Sequence, residues 1–418
     1  MRSLILALPL LFLLNHTAFA DGDSLFAVAG VHTIRITFQQ PAFWDSLTLY
    51  YTLDKMMEAD VEIDGRLVPN SGVQLKGGSS YIYYPGVKKP IDLDFNVFVP
   101  DQTYNGLSRL NLGNGYKDPT MMREKLFLDF CAQAGLPAPR CTYANVYLND
   151  TYWGLYSVVE QVNRKFLGNW FANNDGNLFK GDPSGTLVWK GPLPELYYGD
   201  YELKTNEPAN DWSGLVTLID RINNTPDPEF ALTIGLFLET GNWISYQAAN
   251  LLFANLDSYS GSGHNYYLYQ DPSDSLFRFI VWDANESFGT FTMGLSPDSL
   301  ADLSVFYIPA PASSRPLTNR MLAVPEFRSA YLDQLCMLAG TRFRNEVLGP
   351  LIDSLADAIR SDYYADPNKM FTDAQFEQNI VEAVTVQGLP GGSVIAGLKP
   401  FIASRRQSRG IPSRPSIP

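Results

Sequence analysis

The chain is poor in cysteine and histidine, with three of each in 418 residues. No C-x-x-C spacing occurs, and a zinc centre built from such ligands is excluded. His16 falls in the leader described below, so only His32 and His264 remain for chemistry. Cys131 and Cys141 could pair if a helix end folds back onto the next strand, leaving Cys336 alone. Three buried thiols acting as small apolar residues is the other reading. Positive charge is also in deficit: 31 Lys and Arg stand against 44 Asp and Glu, a net charge of −13. A nucleic-acid partner, which demands a basic face, is therefore not expected. Beyond the first twenty residues no apolar run approaches the roughly 20 residues of a spanning helix. Low-complexity tracts and clear internal repeats are lacking as well.

What is present begins with a secretory signature. Arg2 supplies the positive start, Leu4 to Leu14 the apolar run and Ala18-Phe19-Ala20 a small-residue cleavage site. The expectation is a leader over 1–20, removed to give an exported or surface-exposed soluble chain, with a retained signal anchor as the alternative. Residues 21–164 read as β-rich. Alternation runs through His32 to Phe38, Met57 to Ile63 and Ile91 to Phe95, and Asp64-Gly65 suits a hairpin turn. Asp118-Pro119 reads as the N-cap and first position of a helix that ends at Ala134-Gly135. Two strands follow, joined at Asn149-Asp150. Residues 165–404 read as mainly helical, with helices near 212–222, 243–256, 317–340, 341–361 and 372–385 and a long loop from about 288 to 316. Residues 405–418 read as a basic, Pro-containing tail. The layout predicts an α+β, bilobal chain with a cleft between a β-rich and a helical lobe.

One stretch carries the chemistry. Asp257 is followed eight residues on by Asn265, and Asp283 closes the apolar run Phe277 to Trp282. An acid, an amide and a second acid in that order suit a site that holds a divalent metal on a nucleotide triphosphate and orients a hydroxyl nucleophile. A carboxylate ending an apolar strand is costly unless solvated, paired or metal-bound. His264 is either a base or a support for the loop. Upstream, Gly77-Gly78-Ser79-Ser80 would let backbone N–H groups approach phosphates, although such a run also makes a plain turn. Lys89 shares parity with Ile91, Leu93 and Phe95 and is expected to point inward as a phosphate ligand, with Lys88 as the fallback. Glu124 is placed to pair with that lysine, or simply to favour a helix N-terminus. Backbone groups at Glu160, on the border between the two halves, could meet an adenine. With Lys76, Lys88, Lys89 and Lys180 the cleft would gather positive charge in an otherwise acidic chain.

Taken together, these segments resemble the CotH family of exported, atypical protein kinases first known from spore coats. The resemblance runs from Val73 to Gly289. It is carried by Lys76 to Ser80, Lys88-Lys89, Met122 to Leu126, Val146 to Glu160 and the Asp257, His264-Asn265, Asp283 set. It implies that Lys89 holds nucleotide phosphates and Glu124 braces it. It implies further that Asp257 orients or deprotonates a substrate hydroxyl, and that Asn265 and Asp283 ligate metal. The family pattern has Arg and Asn where Lys76 and Gly78 stand, and commonly Gly at Asp150.

The expected activity is transfer of the γ-phosphoryl of ATP, with Mg²⁺ or Mn²⁺, to Ser or Thr of extracellular or surface proteins. The family also includes coat proteins and invasins. A non-catalytic scaffold that binds protein or glycan is therefore the rival, and a small-molecule kinase a third class. Metal-dependent nucleotide binding separates the first two.

Overall fold

The computed structural model describes residues 22–27, 30–390, 394–408 and 411. The expected leader and the end of the tail lie outside the described residues. The architecture is mixed α+β. After a short helix α1 (Asp23–Phe26), seven strands form a closed barrel in the order β1-β2-β3-β4-β5-β7-β6. They are β1 (Val31–Thr37), β2 (Met57–Ile63), β3 (Arg66–Leu75), β4 (Ile91–Asp94), β5 (Arg109–Gly113), β6 (Cys141–Leu148) and β7 (Thr151–Glu160). Alternation sets their faces: Ile34, Ile36, Val61 and Ile63 are all fully buried while the residues between them face outward. Asp64 and Gly65 take positive φ (49° and 82°), as does Asn149-Asp150 (45° and 63°), so both expected hairpin turns form. Closure comes from the one parallel pairing, in which Val31 to Ile36 of β1 lie against Tyr143 to Leu148 of β6. A closed barrel, rather than an open sheet, is what the β-rich segment builds.

Helix α2 (Phe43–Thr52) packs outside the barrel and α3 (Ser79–Ile82) follows the Gly-rich loop. Helix α4 (Arg123–Gln133) begins later than Asp118-Pro119 predicts. Met121 adopts φ 56°, which breaks the helical path after Pro119. Asp118 still serves the helix start by accepting from the Arg123 backbone N–H at 2.8 Å. Arg123 is fully buried, pairs with Asp118 and donates to Asn379 Oδ1 (2.8 Å) and the Ala396 carbonyl (2.7 Å).

The second half contains more β-structure than expected. A four-stranded antiparallel sheet, ordered β11-β10-β8-β9, joins β8 (Leu178–Gly181), β9 (Tyr201–Leu203), β10 (Tyr266–Gln270) and β11 (Phe277–Val281). Around it lie α5 (Arg164–Trp170), α6 (Ser213–Asn224), α7 (Asp227–Ile234), α8 (Thr240–Leu252) and α9 (Pro297–Ala301), the last inside the expected long loop. The single helix expected over 317–340 is two, α10 (Pro316–Ala323) and α11 (Pro325–Thr341), because Pro325 takes a first helical position. They lead to α12 (Asn345–Ala365), α13 (Asp373–Val381), a β12 (Val384–Thr385) and β13 (Val394–Ile395) pair, and α14 (Leu398–Gln407). Arg405, expected to open the basic tail, instead belongs to α14, where it is fully buried and donates to the carbonyls of Leu251 and Leu303. The three cysteines are free, buried thiols. No helix among the described residues is long and apolar enough to cross a membrane.

A buried ion pair ties the barrel to α12. Lys88 Nζ lies 2.6 Å from Asp366 Oδ2, and the two side chains are 1% and 0% exposed. Asp366 also accepts from the Leu155 and Asn368 backbone N–H groups. Removing one partner leaves the other charged and unpaired in the interior. Asp366→Ala is expected to lower unfolding stability by about 3–5 kcal/mol, and Lys88→Met in the same chain to recover part of that loss. Urea denaturation of the single and double variants measures both; a loss within 1 kcal/mol for Asp366→Ala would show the pair to be dispensable.

Candidate functional site

The loop after α8 is shaped by polar groups beneath it. Ser260 Oγ donates to Gln247 Oε1 (2.8 Å), and Asn255 Nδ2 to Asn250 Oδ1 (2.9 Å); both acceptors are buried on α8. Backbone N–H groups of Gly261, Ser262 and Gly263 turn back onto Ser258 and Leu256 carbonyls. A Cβ at Gly261 would sit 2.0 Å from the Leu256 carbonyl oxygen, so only glycine closes this turn. Asp257 is thereby held inward. Asn265 Nδ2 donates to its Oδ2 at 3.0 Å, His264 Nε2 lies 3.0 Å from Oδ1, and Ser262 Oγ donates to Oδ1 at 3.3 Å. His264 is thus a partner of the acid.

Asp283 follows β11 with φ 53°, which turns its carboxylate onto the cleft wall. It is exposed to the cleft but enclosed by protein elsewhere. That enclosure and the charge of Asp257 raise its pKa, against the pull of Lys76, Lys180 and His264. Glu286, three residues on, is buried against Lys117 at 2.7 Å. Burial pushes it up to about 7, with Lys117 opposing and Asp257 and Asp283 adding. Glu124 on α4 is pushed up to about 8 by burial first and Asp283 second, with Lys76 opposing.

The lysines are arranged differently from expectation. Lys89 precedes β4, so the strand's alternation does not extend to it. Its Nζ donates to the carbonyls of Tyr81 (2.7 Å) and Tyr84 (2.8 Å), and it lines neither cavity described below. Lys88 is spent on Asp366. Lys76, just past β3, and Lys180 on β8 face the cleft, and Lys180 is paired with Asp182. The Nζ of Lys76 donates to Asn111 Oδ1 and sits 5.5 Å from the Trp282 ring centre. Among the described residues no carboxylate lies within ion-pair distance of it, and burial lowers its pKa. The pairing of Glu124 with Lys89 is accordingly corrected: Glu124 shares its field with Lys76. Glu160 is also corrected. Its backbone N–H is taken by the Arg140 carbonyl and its carboxylate by the Arg140 guanidinium at 2.6 and 2.9 Å. Gln161, next along, lines the cleft instead and accepts from Asn111 Nδ2 at 2.9 Å.

Asp257, Asn265, Asp283, Lys76 and Gly77 to Ser80 therefore face one solvent-open cleft of ≈ 480 Å³. Gly77 needs its φ of 85°, and a Cβ there would meet Ser80 Oγ at 2.4 Å. A smaller pocket of ≈ 90 Å³ adjoins it, reaching Glu124 and Ser157 and sharing Lys76, Asn111, Trp282 and Asp283. Residues not anticipated also line the cleft: Arg109 bound through two nitrogens to Asp92, Asp182 beside Lys180, Asn111, Gln161 and Glu286. A polar residue between two apolar ones, as in Leu110-Asn111-Leu112, was the available signal. Among the described residues no three His, Cys, Asp or Glu side chains converge as a ready-made metal cage. What the arrangement offers is two carboxylates and an amide oxygen opposite an ammonium without a carboxylate, a layout for an anion carrying its own cation.

Comparison with known proteins agrees with the sequence resemblance. A family model described as CotH kinase protein matches residues 73–386. The inner spore coat protein H of Bacillus subtilis is 27% identical over 277 residues, covering 65% of this chain and 73% of that protein. Spore coat protein homolog 1 of Rhizopus delemar is 21% identical over 308 residues, covering 70% of this chain and 50% of its own length. Invasin CotH3 of the same fungus is 22% identical over 319 residues, covering 70% and 52%. The chain thus spans about half the length of these fungal relatives.

The imidazole of His264 provides a check on the loop. Burial pulls its pKa down, but the hydrogen bond and charge of Asp257 outweigh this and the net direction is up. Because the folded value lies above the unfolded one, the stabilisation is full below the unfolded value of about 6.5 and fades as pH rises through the folded one. In metal-free protein, NMR titration should find His264 above the ordinary value, and Asp257→Asn should bring it down. An unchanged titration in that variant would remove Asp257 as the cause.

Proposed function

The chain belongs to the CotH kinase protein family, and from that premise we propose that it is an exported kinase. In this reading it moves the γ-phosphoryl of ATP to Ser or Thr hydroxyls of extracellular or surface proteins, with Mg²⁺ or Mn²⁺ as cofactor. The barrel and the helical half would act as two lobes around the cleft. The observation that carries the reading is Lys76, a cleft-facing ammonium without a carboxylate partner, across the same space from Asp257 and Asp283.

The donor set fits a hard divalent cation. Asp283 presents a carboxylate whose negative form is opposed by burial and by Asp257, an opposition that a bound cation relieves. Asp283 and the amide oxygen of Asn265, whose nitrogen is engaged by Asp257, would hold the metal, which when bound neutralises phosphate charge. Lys76 would hold phosphate oxygens, with Glu124 in the same field. The N–H groups and hydroxyls of Gly77 to Ser80 would line the phosphates. Asp257, oriented by Asn265 and His264, would accept the proton of the acceptor hydroxyl. The oxygen of that hydroxyl would bond to the γ-phosphorus as the bond to the bridging oxygen breaks and ADP leaves.

The test uses the intact chain, γ-labelled ATP, Mg²⁺ or Mn²⁺, and casein as acceptor. Wild type and Lys89→Met are expected to transfer label at rates within about twofold of each other, whereas Asp257→Asn should lose about 10²–10⁴-fold. Asp283→Asn should abolish metal-dependent transfer, and Lys76→Met should weaken ATP binding by about tenfold or more. Transfer retained in Asp283→Asn would sink the metal-ligand role. Absence of both transfer and metal-dependent ATP binding in the wild type would favour the non-catalytic scaffold.

A further inference from the structure

Arg315 stands on the far side of the loop that carries Asp257 and Asn265, at the N-terminus of α10. It is only 5% exposed. Among the described residues no carboxylate lies within ion-pair distance of it, and burial lowers its pKa. A guanidinium in that position is costly unless its N–H groups are satisfied. Each of the three nitrogens finds a backbone carbonyl. Nε donates to the Tyr259 carbonyl at 2.9 Å, one terminal nitrogen to the Gly261 carbonyl and the other to Ser314.

Two of those acceptors are two residues apart in the loop itself. The planar fork therefore sets the spacing of Tyr259 and Gly261 in a way that one ammonium cannot. Contact is close on a third side as well. A Cβ at Gly263, which has φ 89°, would lie 2.9 Å from Arg315 Cζ, so the chain at Gly263 rests directly on the guanidinium. Gly263 immediately precedes His264 and Asn265, the two side chains that hold Asp257. Packing alone would be met by an apolar residue of similar length, without the burden of a buried charge.

We propose that Arg315 is a positioning residue: it fixes the Asp257–Asn265 loop from behind and so sets where the Asp257 carboxylate meets an acceptor hydroxyl. The catalytic consequence rests on the kinase reading above; the structural one does not.

The experiment compares wild type, Arg315→Met and Arg315→Lys as intact chains. Hydrogen–deuterium exchange reads the Gly261, Ser262 and Gly263 amides, and steady-state transfer to casein with Mg²⁺ and ATP reads the chemistry. In Arg315→Met the three loop amides should exchange at least about tenfold faster while the barrel amides do not change. A displacement of about 1 Å at the acid should lower kcat about 100-fold with KM for ATP within about twofold. Arg315→Lys, which reaches one carbonyl at a time, should fall between, and it carries the comparison if the Met variant does not fold. Unchanged loop exchange, or acceleration spread evenly over the molecule, overturns the proposal, as does an unchanged kcat in an active enzyme. If wild type transfers no phosphate the kinase reading falls, and selective loop exchange alone then decides for or against Arg315.

Discussion

The parallel pairing of the first barrel strand with the sixth fixes the position of nearly every group on the barrel side of the cleft. Once β1 lies against β6, each of the seven strands is hydrogen-bonded on both sides and none can slide without breaking two ladders. Lys76 at the end of β3, Asn111 on β5 and Gln161 past β7 then come to the same rim, where Asn111 accepts from the lysine and donates to the glutamine. That three-residue chain is short because the strands beneath it are locked in register.

The acid side is built by another means. Asp257 and Asn265 sit on irregular backbone, and what holds them is a layer of buried amides and hydroxyls on and after α8, with a guanidinium behind. Buried polar contacts then join this half to the barrel: the ion pairs Lys117 to Glu286 and Lys88 to Asp366, and the hydrogen bond from Arg123 to Asn379. Each lies in the interior, where a lost partner is expensive. Such contacts favour one relative placement of the two halves over many similar apolar ones, and the cleft needs that placement because Lys76 comes from one side and Asp257 and Asp283 from the other.

Features decided within a few residues were legible in the sequence. Asp64-Gly65 and Asn149-Asp150 announce turns because few residues tolerate positive φ. The order of Asp257, Asn265 and Asp283 is visible because a loop and the hairpin strand after it are local structures. Features decided by distant partners were not legible. Lys89 has the right parity on paper, but the strand begins at Ile91 and the Tyr81 and Tyr84 carbonyls claim its ammonium. Glu160 has its backbone N–H and its carboxylate engaged by Arg140, twenty residues away in sequence. Glu286 finds Lys117 across 169 residues of sequence, and no periodicity reports a contact of that kind. The strands β8 and β9 escaped notice because four and three residues are too few for a pattern.

Closing a barrel between its first and sixth strands also has a consequence in time. During synthesis β1 can pair with β2 as soon as the Asp64-Gly65 hairpin emerges, but its other edge has no partner until residues 141–148 exist. Over that interval the nascent chain carries an open strand edge that the folded protein conceals completely, the kind of edge that invites pairing with a neighbouring chain. A contact of such long sequence separation is also slow to form. Until Leu148 has been made, that edge stays open to any strand that lies near the growing chain.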